Sequence, residues 1–247
     1  MERWVGKVAI VTGASTGIGA EIAVRLADLG LIVIGIARRK HLIDKIAEKV
    51  TGKGKIYSKQ VDLSKSNEIR EAFEWIEQKF GGADILVNNA AYLPVGYITD
   101  IGDMPEVDDE EIKLTVNVNV TGLFLATRLA VKSMRKRGVD GHIVNINSVH
   151  GHYVPNYQTA GVYASTKHTI APFTSALINE LAKFNSKIKV TSLSPGVVNT
   201  AMPPSELANA PKLECSEVVD ALIYVISTPP TVQIYELGIK AVGEGLV

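Results

Sequence analysis

Seven short apolar runs, bounded by turn residues, alternate along this chain with longer amphipathic segments. That alternation constrains the fold more than any other feature. A run such as Val8-Ala9-Ile10-Val11, apolar at every position, has no side to show to water, so it belongs in a parallel sheet covered on both faces. Residues 8–11, 32–36, 56–61, 85–87, 142–146, 189–193 and 233–236 are the predicted strands. Helical periodicity predicts helices over 17–29, 41–50, 66–80, 109–137, 162–184 and 216–227. Repeated βα units of this kind imply an α/β fold, a single Rossmann-type domain over residues 1–247. Its doubly wound, parallel, seven-stranded sheet would carry helices on both faces. A chain of 247 residues suits one such domain and leaves little for a second.

Lys plus Arg and Asp plus Glu both number 26, so no basic excess favours nucleic acid or an anionic membrane. The expected partner is a small molecule. The first residues hold no apolar signal core, and no stretch is read as a membrane span, so a cytoplasmic protein is expected. The lone Cys215 excludes an internal disulfide and reads as a small apolar residue opening a helix. His150 and His152 form no short-spaced ligand cluster with it, so no metal is expected. Acids at 108–111 and bases at 135–137 flank one helix and complement its dipole. Segments 92–107, 149–161 and 201–214 follow strands at their carboxyl ends, where an open α/β sheet places its ligands.

Tyr163 and Lys167, four residues apart, fall on one helix face. A unit charge about 4 Å from a phenol contributes about 4 kcal/mol at an effective dielectric of ~20, roughly three pK units. Such a tyrosine can exchange protons near neutral pH. Glycines 13, 17 and 19 sit between the first strand and the first helix, where a tight turn brings backbone N–H groups to a pyrophosphate. The second strand ends in Ala37-Arg38-Arg39, with no carboxylate to accept from the ribose hydroxyls of NAD. Two guanidiniums there suit a 2′-phosphate, which favours NADP(H). Asp62 is placed either to accept from the adenine amino group or to cap the helix that follows.

With these residues assembled, the chain resembles the short-chain dehydrogenase/reductase superfamily over nearly its whole length. The resemblance rests on Thr12-Gly13-Ala14-Ser15-Thr16-Gly17-Ile18-Gly19, Asp62, Asn88-Asn89-Ala90, Asn119 in Asn-Val-Thr-Gly, Ser148, Tyr163 with Lys167, and Pro195-Gly196 followed by Thr200. The opening residues 1–8, the Ala37-Arg38-Arg39 turn and the ending 233–240 look like the insect farnesol dehydrogenase-like branch. The resemblance implies that Tyr163 is the acid/base and that Lys167 lowers its pKa and bonds the nicotinamide ribose. Ser148 would donate to the substrate oxygen, and Asn119 would link Lys167 to solvent through water. Cofactor contacts are implied at Gly13, Ser15, Thr16, Gly17, Ile18, Gly19, Arg38, Arg39, Asp62, Leu63, Asn89, Ala90, Tyr163, Lys167, Pro195, Gly196, Val198 and Thr200. The family's usual glycine after Asn-Asn-Ala is Ala91 here, a strained choice if the backbone takes a positive φ. A homodimer or homotetramer is implied as well.

The loops expected to face substrate carry Leu93, Pro94, Val95, Tyr97, Ile98, Tyr153, Val154, Pro155, Tyr157, Met202, Pro203, Pro204 and Leu207, with no basic residue between 201 and 211. An apolar lining favours a lipophilic, uncharged alcohol or carbonyl. With the branch resemblance it implies an isoprenoid alcohol such as farnesol. The alternatives are a broad-specificity NADPH carbonyl or ketosteroid reductase and, in another class, a non-catalytic dinucleotide-binding regulatory protein.

Overall fold

The computed structural model describes residues 1–101, 105–154, 158–203 and 207–245. Strands β1 (Val8–Thr12), β2 (Ile32–Ala37), β3 (Lys55–Gln60), β4 (Ile85–Asn88), β5 (His142–Ile146), β6 (Lys189–Pro195) and β7 (Glu236–Ile239) form one parallel sheet. Its order is β3-β2-β1-β4-β5-β6-β7. The chain works outward from β1 to β3 and then returns to β1's other side as β4. The carboxyl ends of β1 and β4 therefore flank the switch point where such sheets bind ligands.

The all-apolar strands are explained by two cores. From β1, Ala9 and Val11 point to one face, where they meet Ile22 and Leu26 of α1 (Gly17–Asp28) and Leu222 and Ile226 of α8 (Cys215–Ser227). Val8 and Ile10 point to the other face, against Ile69, Phe73 and Ile76 of α3 (Ser66–Phe80) and Ala130 and Met134 of α5 (Leu123–Arg137). β1, β4, β5 and β6 thus bury both sets of side chains, whereas the edge strands β3 and β7 stay partly exposed. The remaining helices are α2 (Lys40–Ala47), α4 (Asp109–Val116), α6 (Gly161–His168) and α7 (Ile170–Lys183).

Three expectations need correction. The helix expected over 162–184 is two segments meeting at Thr169, because Pro172 has no N–H to give the carbonyl of His168. The last strand begins at Glu236, not at residue 233. The side-chain amide of Gln233 takes up the carbonyl and N–H of Val190, so backbone pairing starts only further along. The helix Asp109–Arg137 is long and apolar enough over part of its length to cross a membrane, where no such stretch was expected. It packs against the sheet through Leu125, Ala126, Ala130 and Met134, as a core helix does. It also widens into a π-helical turn at Asn117–Gly122.

Candidate active site

The loop from β1 into α1 is tied to both neighbouring strands. The N–H of Gly13 donates to the carbonyl of Ile36 at 2.8 Å. Thr12 Oγ1 accepts from the N–H groups of Asn89 and Ala90 at 3.0 and 3.1 Å. Asn89 Nδ2 donates in return to the carbonyl of Thr12 at 2.9 Å, so β1 and β4 are cross-braced at the switch point. Gly13 has φ +68, and a Cβ on Gly19 would lie 2.4 Å from both Asn89 Nδ2 and the Gly13 carbonyl. The loop closes this tightly only with glycine at those positions.

This loop opens on a cleft of about 650 Å³. Every expected cofactor residue lines it: Gly13, Ser15, Thr16, Gly17, Ile18, Gly19, Arg38, Arg39, Asp62, Leu63, Asn89, Ala90, Tyr163, Lys167, Pro195, Gly196, Val198 and Thr200. Arg39 Nη2 donates to Thr16 Oγ1 at 3.1 Å and Ser15 Oγ at 3.3 Å, so its guanidinium lies over the glycine loop. A basic group beside two hydroxyls whose protons remain to be donated, with no carboxylate at the end of β2, fits a phosphorylated dinucleotide. Asp62 accepts from the N–H and hydroxyl of Ser64 through one oxygen, in a local turn, while Lys65 occupies the helix cap position. Burial raises its pKa, but the Ser64 bonds with the Arg38 and Lys65 charges outweigh that and hold it below the ordinary value. Its second oxygen remains for a donor in the cleft. Ala91 is not strained: among the described residues only Asn185 combines a side chain with a positive φ.

Ser148, Tyr163 and Lys167 line the same cleft. Ser148 follows β5 and caps a short 3-10 turn, its Oγ accepting from the N–H of His150 at 3.1 Å. That bond leaves the hydroxyl proton for another acceptor. Tyr163 and Lys167 lie on α6, with the ammonium 5.6 Å from the centre of the phenol ring. Lys167 Nζ donates to the carbonyl of Ile146 at 2.7 Å. Burial pushes its pKa from 10.5 down to about 7. An anion placed beside it would push that value back up. The arrangement can move a proton to or from an oxygen held between a hydroxyl and a phenol.

Asn119 sits behind this group, in the π-helical turn and buried. Its Oδ1 accepts from the N–H of Tyr92 at 2.8 Å, and its Nδ2 donates to the Tyr92 carbonyl at 2.9 Å and to Thr166 Oγ1 at 3.0 Å. These bonds clamp the loop after β4 onto α6, one residue from Lys167. An Asn119→Leu variant strands the N–H and carbonyl of Tyr92, while Thr166 keeps its bond to the Tyr163 carbonyl, and is expected to destabilise the fold by about 2–4 kcal/mol. Urea unfolding checks it; an unchanged midpoint would show that the clamp contributes nothing.

Apolar side chains also line the cleft: Leu93, Leu114, Val118, Met202, Pro203 and Leu207, with Tyr92 among them and Val95 in a smaller hollow shared with Tyr92, Leu93, Met202 and Pro203. Several residues expected there do other work. The main chain of Tyr97 pairs with that of Pro105 and Val107, Ile98 packs under Gly161, and Tyr153 accepts from Lys240. Val154 is exposed, and Pro155, Tyr157 and Pro204 lie outside the described residues. His152 is held by Ser194 and Glu236. His150, by contrast, lines the cleft, and burial, with Lys240 and His168 adding to it, pushes its pKa down to about 4. Its position two residues after Ser148 was the available signal. Leu114 and Val118 gave none, because helical spacing alone does not separate a cleft wall from a core.

Residues 7–210 match the short chain dehydrogenase family. The chain is 43% identical over 250 residues to the farnesol dehydrogenase of Aedes aegypti, covering 99% of both chains. It is 36% identical over 255 residues to dehydrogenase/reductase SDR family member 11 of Bos taurus, covering 97% of this chain and 98% of that one. An alcohol dehydrogenase from the archaeon Thermococcus sibiricus, solved with 5-hydroxy-NADP, superposes with a TM-score of 0.82 at 25% identity. That superposition covers 97% of this chain and 98% of the other. Sheet order, glycine loop and the Ser148, Tyr163 and Lys167 cluster agree with these matches: the chain belongs to the short-chain dehydrogenase/reductase family of oxidoreductases.

Proposed function

We propose that this chain is an NADP(H)-dependent oxidoreductase that interconverts a lipophilic alcohol and its carbonyl, with an isoprenoid alcohol such as farnesol as its substrate. The observation that carries the reading is a single cleft lined by Arg38 and Arg39, by Ser148, Tyr163 and Lys167, and by apolar Leu93, Met202, Pro203 and Leu207. The farnesol dehydrogenase of Aedes aegypti, similar over its full length, supports the substrate class. We assign this activity to the cytoplasm and to a homodimer or homotetramer, in line with the family resemblance.

A bound nicotinamide would supply or take up the hydride. In reduction Tyr163 gives its proton to the carbonyl oxygen, and in oxidation it takes the alcohol proton. Ser148 donates to the same oxygen and stabilises the charge that develops on it. Lys167 holds the phenolate form and offers its remaining donors to the cofactor ribose. Asn119 fixes the loop and helix on which this geometry depends. Leu93, Met202, Pro203 and Leu207 exclude water and accept an apolar chain.

A panel of isoprenoid alcohols, ketosteroids, sugars and acids, assayed with NADP⁺ and NADPH by nicotinamide absorbance, tests the reading. Highest kcat/KM on an isoprenoid alcohol is expected; preference for a sugar or an acid sinks the proposal. Preference for a ketosteroid selects the broad-specificity reductase instead, which the size of the cleft would also admit. For the cofactor, Arg38→Asp places a carboxylate where ribose hydroxyls bind NAD. The NADP over NAD ratio of kcat/KM is expected to fall about 100-fold, and Arg39→Ala to weaken NADPH binding about tenfold. Unchanged ratios in both variants would remove the arginines from cofactor choice.

A further inference from the structure

The end of the described chain turns back onto the cofactor-facing loop. After β7, residues 241–244 make a turn closed by the N–H of Glu244 donating to the Ala241 carbonyl at 3.0 Å. The turn lays the Glu244 carboxylate over Gly196 and Val197. One oxygen accepts from the N–H of Val197 at 3.2 Å and the other from the N–H of Ala241 at 3.3 Å. A Cβ on Gly196 would lie 2.2 Å from the carboxylate, so glycine there serves this contact as well as the cleft.

The carboxylate has a cation beside it. Lys240 Nζ stands 3.7 Å from Glu244 Oε1, with only 16% and 10% of the two side chains exposed. The same ammonium donates to the Tyr153 hydroxyl at 2.9 Å and to the Gly245 carbonyl. Tyr153 meets His150 edge-on, ring centres 5.8 Å apart, and His150 lines the cleft two residues from Ser148. One shielded ion pair therefore reaches both walls, Gly196–Val197 directly and the segment after Ser148 through Tyr153.

We propose that Lys240 and Glu244 are positioning residues that hold the cofactor-facing loop 195–200 and the segment 149–154 in register across the cleft. The inference rests on the oxidoreductase reading above and adds to it two residues that act through the backbone and through Tyr153. A carboxylate on a backbone N–H makes a stronger hydrogen bond than a neutral acceptor, and its burial limits screening. Without Glu244 the Val197 N–H loses its acceptor, and without Lys240 the carboxylate loses its counter-charge and Tyr153 its donor.

The test uses the full chain with Glu244→Ala, Glu244→Gln and Lys240→Met. NADPH fluorescence titration, steady-state kinetics and amide hydrogen exchange on the dinucleotide-free protein are the readouts. Glu244→Ala is expected to raise Kd and KM for NADPH about tenfold, with kcat changed less than about threefold and faster exchange in both 195–200 and 149–154. Glu244→Gln keeps an acceptor for Val197 and is expected to restore protection of 195–200 and most of the affinity. Lys240→Met is expected to loosen 149–154 first. Unaltered exchange in both segments, or faster exchange confined to 240–245, overturns the proposal. If Glu244→Ala does not fold, Lys240→Met decides on the same criteria. A wild-type protein that fails to bind NADPH counts against the functional reading alone, since the exchange comparison needs no cofactor.

Discussion

Tyr163→Phe is expected to lower kcat by about 10³-fold or more while NADPH binding changes less than about threefold. The substitution keeps the ring, which is buried on α6, and removes only the hydroxyl. Ser148 and Lys167 stay in place, so any residual rate measures what polarisation of the oxygen achieves without a proton donor. A general acid or base contributes about 10² to 10⁴ in rate, and the other phenol among the described cleft residues, Tyr92, donates to Glu111, whose bond raises its pKa and makes it unsuited as a replacement. Nicotinamide absorbance under saturating cofactor reads the loss, and fluorescence titration reads the binding. Full activity in this variant would falsify the mechanism and leave the dinucleotide-binding regulatory protein as the better account.

The parts of the site that sequence made legible are those carried by short segments at strand ends. The glycine loop, Arg38 and Arg39, Asp62, Ser148 and the pair Tyr163 and Lys167 each lie within a few residues of a strand or helix boundary, so placing the element places the residue. What escaped depends on contacts between distant segments. Glu244 reaches Val197 across 47 positions and Lys240 reaches Tyr153 across 87, and no local pattern encodes either. Asn119 was legible from its Asn-Val-Thr-Gly motif, but the π-helical turn and the clamp on Tyr92 appear only once the loop after β4 is packed. Pro172 and Gln233 were readable in principle, since each changes backbone pairing by known chemistry; apolar periodicity overrode both signals. Ala91 shows the opposite case, where a departure from the family pattern suggested strain and the backbone takes an ordinary conformation.

Lys167→Met is expected to abolish turnover and to stabilise the dinucleotide-free fold. Nζ is wholly buried, and burial pushes its pKa from 10.5 down to about 7. The unfolded chain keeps that proton until pH ~10.4, whereas the folded chain gives it up near 7. Between those values the unfolded state binds more protons, so stability rises with pH across the window, and below 7 the penalty is present in full. At about 1.4 kcal/mol per pK unit the penalty is of order 5 kcal/mol, offset by about 1 kcal/mol for the bond to the Ile146 carbonyl. Met fills similar space without a charge, so the variant is expected to gain about 1–3 kcal/mol at pH 7 and to lose that advantage by pH ~10.5. Lys189, whose pKa burial pushes to about 8, with Arg3 adding to the shift, sits in both proteins and cancels in the comparison. Urea unfolding of both proteins between pH 7 and 10 reads the difference, and parallel curves would show that the buried ammonium costs the fold nothing. Saturating NADPH should flatten the wild-type slope, because ribose hydroxyls and a Tyr163 phenolate favour the charged lysine. In the proposed mechanism the fold tolerates this cation at a loss of stability because the charge serves the phenol when it gives up its proton.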